Sequence, residues 1–140
     1  MFALSARKEN GNVCVKEWKR IAEWEAAHYR ERKAFLKGVR DAGGEMTARA
    51  EQYQRWILAV ENVLQYLHRH NPEKERFFRL YYGVDGGRRL YDGEGLVSLT
   101  FSFHTSQSTL YQWRNDVLSL LLIAASETGA LQPFRNGTNP

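Results

Sequence analysis

The stretch MTARAEQYQRWILAVENVLQYLHRH, residues 46–70, constrains the fold more than any other part of the chain. Tyr53, Trp56, Ile57, Val60, Leu64 and Leu67 recur at steps of three and four, which puts them on one side of a helix. Such a stripe has to be buried against other elements, so this helix predicts the centre of a packed domain. Thr47 ahead of it is a candidate N-cap, because a hydroxyl there can accept from a first-turn amide. Glu51 stands one position too far on for a strict capping box. Asn71-Pro72 ends the segment and opens the next: asparagine caps, and proline takes the first helical position, where no amide hydrogen is needed.

The flanking segments read the same way. Residues 13–40 contain no proline, and Trp18, Ile21, Trp24, His28 and Phe35 recur at helical spacing. Lys19, Arg20, Glu23, Arg30 and Lys37 fall on the opposite side, and AGGE at 42–45 closes the helix. The basic run HYRERKAFLKGVR reads as a solvent face with the capacity to touch a nucleic-acid backbone or an acidic partner. PEKERFFRLYY forms a further helix anchored by Phe77, Leu80 and Tyr81. The loop GVDGGRRLYDGEG fits neither GxGxxG nor GxxxxGK, so it predicts turns and not a nucleotide phosphate loop. LVSLTFSFH alternates at Leu99, Phe101 and Phe103, which leaves helix and strand both open. Ser106 to Thr128 is one long helix with Leu110, Trp113, Val117, Leu121 and Ala124 inward and Gly129 as its stop. The expectation is an all-α fold of about five helices. It has an N-terminal helical hairpin serving as scaffold or oligomerisation region (1–70), a helix-turn-helix module (71–131) and a flexible tail (132–140), with the first dozen residues frayed like the tail.

Several chemistries are excluded by residue type. Cys14 is the single cysteine, so there is no disulfide framework or CxxC site. His68 and His70 stand two apart and do not share a helix face, which makes them a poor metal pair. The acidic residues are scattered and no GxSxG occurs. No enzyme, cofactor or metal is expected. The longest apolar run, Val117 to Ala125, is far shorter than the roughly 20 residues a bilayer requires. With no apolar signal region at the start, the chain reads as soluble and cytoplasmic, with no membrane partner. Its formal charge is +4. Residues 1–70 hold 13 Lys and Arg against 9 Asp and Glu, whereas residues 71–140 hold 7 of each, so the excess lies away from the C-terminal module.

That module carries the functional reading. A helix-turn-helix needs a first helix with a buried side, a tight turn, and a second helix whose first turns present short polar side chains to the major groove. Leu96, Leu99 and Phe103 supply the buried side, FHTS the turn and Ser106 the cap. Gln107, Ser108, Tyr111, Gln112 and Asn115 then face away from Leu110, Trp113 and Val117. Glutamine and asparagine suit adenine edges, and serine and tyrosine suit phosphate or mixed contacts. A capped amphipathic helix with a solvated face has the same pattern.

SQSTLYQWR resembles the S-x-x-T-[VIL]-Y-x-W opening of recognition helices in bacterial and phage regulators. The longer stretch from NPEKERFFRLYYGVDG to LVSLTFSFHTSQSTLYQWRNDVLSLL is similar to region four of bacterial sigma factors. Leu80-Tyr81-Tyr82-Gly83 stands at that region's LRYG-like motif, and His104 stands at its turn glycine. Together with a helical N-terminal half, this resembles the RinA and ArpU type of phage late-gene regulators. The resemblance covers residues 71–131 and implies a cytoplasmic, oligomeric transcriptional regulator that binds double-stranded DNA, with RNA polymerase as a further candidate partner. The candidate DNA-binding residues are Ser106, Gln107, Ser108, Tyr111, Gln112, Arg114 and Asn115, with Arg88 and Arg89 in the preceding loop. Two alternatives stay open. One is the small subunit of a phage terminase, which would assemble as a ring. The other is a protein-interaction module built on the same motif.

Overall fold

A computed structural model describes residues 4–91 and 95–131, with side chains from Val15 onward. The tail 132–140, expected to be flexible, lies outside the described residues. Six α-helices follow one another: α1 (Leu4–Ala27), α2 (Tyr29–Asp41), α3 (Ala48–His70), α4 (Pro72–Tyr82), α5 (Gly95–Phe103) and α6 (Gln107–Thr128). The described residues contain no strand, so the fold is all-α, and LVSLTFSFH is helical despite its alternation. Backbone helix already begins at Leu4, within the stretch expected to fray.

The sixth helix arises because residues 13–40 are not one rod. At His28 the backbone turns aside (φ −108°, ψ 16°), and its amide is shared between the carbonyls of Trp24 and Glu25. The break lets α2 run back along α3. Tyr29 reaches Glu61 at 2.6 Å while Phe35 meets Tyr53 edge-on, so the two helices are antiparallel. The expected hairpin is therefore α2–α3, and α1 crosses to pack mainly on α6.

Helices α3 and α6 form the spine, also antiparallel. Gln52 donates to the Ala130 carbonyl at 2.6 Å, and the Thr128 hydroxyl donates to the Arg55 carbonyl at 3.0 Å. Both helix starts are capped as their sequences require: Thr47 accepts from the Ala50 amide and Ser106 from the Thr109 amide. Asn71 likewise caps α4, accepting from the Lys74 amide. Trp56, Val60, Val63, Leu64 and Leu67 join Leu110, Val117, Leu118 and Leu121 in one contiguous core that runs from Ala22 to Ala130. The boundary placed at residue 70 falls within this shared core.

Two faces are not oriented as periodicity predicts. Among the described side chains of α1 the buried ones are Ala22, Ala26 and Ala27, while Trp24 is 52% exposed and Ile21 also faces solvent, as Phe35 does in α2. In α4, Phe78 and Tyr82 are buried beside Phe77 and Tyr81, and Leu80 points outward. Gly83 closes α4 in the left-handed region (φ 64°), where a Cβ would press on the Arg89 side chain at 3.1 Å. No described helix is long and apolar enough to cross a membrane.

Candidate nucleic-acid interface

The candidate interface is the α5–turn–α6 unit. Leu96, Leu99 and Phe103 are buried, so α5 is pinned by one side. Only residues 104–106 separate it from α6. A reversal that short forces His104 to φ 51°, the one positive value among the described non-glycine residues. This is the slot where the resembling motif carries glycine, and a side chain there is strained. Ser106 then caps α6.

Beyond the cap, the two sides of α6 separate cleanly. Leu110, Val117, Leu118 and Leu121 are buried, and Trp113 is half-buried, set edge-on against Phe77 and Phe103. Ser106, Gln107, Ser108, Tyr111, Gln112 and Asn115 are all exposed. Six of the sequence-derived candidates therefore lie together along the first turns of α6. The Ser106 hydroxyl also bonds to the Thr109 hydroxyl at 3.0 Å, so this serine is engaged in ordering the helix start. Beside them, Tyr81, Tyr91, Leu96, Val97, Gln107, Tyr111 and Arg114 line a cleft of about 390 Å³ between α4, α5 and α6.

The cationic candidates are placed differently. Arg114 shares that cleft with Gln107 and Tyr111, but its guanidinium is already engaged. Its Nε and Nη2 donate to the two oxygens of Glu23 at 2.8 Å each. The Tyr82 hydroxyl, fully buried, donates to the same carboxylate at 2.6 Å. Periodicity sets Glu23 on the solvent side of α1, but it ties α1 to α4 and α6. The direct bond from Glu23 holds the Arg114 guanidinium more firmly protonated than usual, against the opposing effect of burial. Burial pushes the Tyr82 hydroxyl well above its ordinary range, and the neighbouring Glu23 charge pushes it further. The arrangement is a structural strut that fixes the pose of α6, and it occupies the Arg114 guanidinium with Glu23. Arg89 is also engaged, donating to the Ala27 carbonyl at 3.0 Å and pairing with Glu31 at 3.1 Å. Arg88 remains exposed in the loop. Arg76 of α4 is an addition to the sequence-derived set. It lies over the Phe103 ring at 4.2 Å, beside the turn into α6.

The outer side of α5 has no charge. Val97 is exposed and Phe101 is 80% exposed, the most exposed large apolar side chain described. Among the described residues no group of three or more His, Cys, Asp and Glu side chains could hold a metal. Compared with known proteins, the chain matches no family model, no curated protein and no solved structure.

Proposed function

We propose that this chain is a sequence-specific DNA-binding regulator that reads the major groove with the first turns of α6, of the kind the phage late-gene regulators represent. The observation that carries the reading is a short polar run, Gln107, Ser108, Gln112 and Asn115, exposed from a capped helix start over a buried floor of Leu110 and Val117. Side chains that can donate and accept together are what base edges require, and a rigid floor fixes their register. Arg88 and Arg76 are the flanking cations available to phosphates, while Arg114 braces the helix through Glu23. The reader acts in the cytoplasm as a homo-oligomer, without a cofactor.

A second reading has its own support. The uncharged outer side of α5, with Phe101 in solvent, is a poor surface to lay against phosphates and a good one for an apolar protein groove, RNA polymerase included. Salt separates the two. Phosphate contacts give an affinity that falls steeply with salt, and a protein-docking module gives no DNA affinity to fall.

The test selects duplex from a random pool with the full chain, then titrates the selected and scrambled sites. Replacing Gln107, Gln112 and Asn115 together by alanine should leave melting within about 0.5 kcal/mol. It should cost roughly 1–3 kcal/mol of specific affinity for each residue that reads a base, and spare scrambled duplex. A folded triple variant that binds its selected site like the parent removes α6 as the reader.

A further inference from the structure

A cleft larger than the one beside α6 lies elsewhere among the described residues. A cleft of about 800 Å³ opens between α2, α3, α4 and the loop after α4, lined by Tyr29, Arg30, Lys33, Arg69, Arg79 and Asp85 among others. It unites two sequence features that the DNA-reading unit leaves unused: the basic run of α2 and the His68-Arg69-His70 end of α3.

Its acidic groups are already satisfied. Glu75 is bonded by His68 and by Arg79, each at 3.0 Å, and Arg79 also pairs with Asp85 at 2.7 Å. Burial pushes the Glu75 carboxyl up, but the His68 and Arg79 bonds outweigh it and hold the group below its usual range. Glu61 takes the Tyr29 hydroxyl at 2.6 Å and faces Lys33 at 3.6 Å. The cations are in excess. Arg30 and Arg69 have no ion-pair or hydrogen-bond partner among the described residues, and both line the cleft. Arg30 lies beside the loop after α4. Gly86, at φ 105°, leaves room beside the guanidinium, which a Cβ there would meet at 3.4 Å. Two unpaired guanidiniums lining one cleft are suited to hold a multiply charged oxyanion such as a phosphate.

We infer that this cleft binds a phosphate-bearing ligand, with Arg30 and Arg69 as its principal donors and Lys33 as an additional charge. The phosphate belongs either to a free phosphorylated small molecule or to a nucleic-acid backbone running past α2. This inference does not rest on the reading of α6, because its first arm contains no DNA.

The full chain is titrated with inorganic pyrophosphate at constant ionic strength, read by calorimetry and by melting temperature. The parent should bind saturably at one site and melt higher with the ligand. Arg30→Gln combined with Arg69→Gln should melt like the parent without ligand, and its affinity should fall at least about tenfold for each guanidinium removed. Arg20→Gln combined with Arg40→Gln, surface charges outside the cleft, should bind like the parent. The second arm titrates scrambled duplex. If pyrophosphate does not saturate but the Arg30/Arg69 variant binds duplex more weakly and with a flatter salt slope than the Arg20/Arg40 control, the phosphate is the nucleic-acid backbone. The inference is overturned if the Arg30/Arg69 variant matches the parent in both arms, or if the control variant is weakened as much as it is.

Discussion

Helix α1 offers Trp18, Ile21 and Trp24 at steps of three, as α3 offers Trp56, Val60 and Leu64 at steps of four, and each set falls on one helix side. In α3 the large side chains are in the core, and Trp56 is 3% exposed. In α1 Ile21 and Trp24 are turned toward solvent, and the stripe Ala22, Ala26 and Ala27 is buried instead. The neighbours account for the difference. Helix α3 is packed by α2, α4 and α6, so several sides need large residues to fill them. Helix α1 lies mainly on α6, whose leucines already fill the space, and small residues permit close approach there. Close approach also brings Glu23 within reach of Arg114 and Tyr82. Periodicity names the sides of a helix. Which side is buried depends on what its partner leaves open.

The sharpest break in this comparison is between tryptophans. Trp56→Ala should cost about 3–5 kcal/mol, because it empties a large volume at the centre of the spine. A denaturant melt that moves by less than about 1 kcal/mol would place the weight of the core elsewhere. Next in size is Glu23→Ala, expected to cost about 3 kcal/mol, since it leaves Arg114 and the buried Tyr82 hydroxyl unpartnered. Glu23→Leu combined with Arg114→Met should cost clearly less than the two single substitutions added together, because it removes both charges at once. A cycle with no coupling would show that the strut does not form. The alanine stripe itself is tested by Ala26→Leu, expected to cost about 1–3 kcal/mol by overpacking against α6. A neutral Ala26→Leu would mean that the α1–α6 contact is loose.

These residues show how much of the molecule was legible in the sequence. The caps were, at Thr47, Asn71 and Ser106, because a cap is a local hydrogen bond set by neighbouring residues. The α3 stripe and the inner side of α6 were too, since each is long enough for its period to be unambiguous. The exposed polar run from Gln107 to Asn115 followed from the same period. The break at His28 was not legible. It lies in a run of good helix formers with no glycine or proline to mark it, and it exists because α2 has to return along α3. Glu23 reads as a solvent residue because a carboxylate ordinarily faces water, and its partners come from α4 and α6, far along the chain.

The two histidines at helix ends sharpen the contrast. His28 keeps an ordinary negative φ, whereas His104 is held at φ 51° by the three-residue turn. His104→Gly should therefore stabilise the protein by about 0.5–1 kcal/mol, as the left-handed strain released exceeds the added chain entropy. His28→Gly should not stabilise. Equal effects at the two sites would mean that the turn into α6 carries no strain.

The smallest effect on folding is expected at Trp24. Its ring is stacked on His28 at 4.0 Å but is half in solvent, so Trp24→Ala should change melting of dilute protein by less than about 0.5 kcal/mol. That makes it the cleanest probe of what the outer side of α1 is for. Ile21 and Trp24 are exposed one turn apart, and a contiguous apolar surface on a protein of this size marks an interaction site more often than a solvated face. If the proposed homo-oligomer is built through α1, the parent's melting temperature should rise with protein concentration, as it must when association stabilises the folded chain. Trp24→Ala should flatten that dependence and lower the mass seen by sedimentation, while leaving the dilute melt alone. A drop in stability at dilution would instead return Trp24 to the core, where the spacing of α1 sets it. A parent whose melting does not vary with concentration, and whose mass Trp24→Ala does not change, would leave the outer side of α1 with no part in assembly.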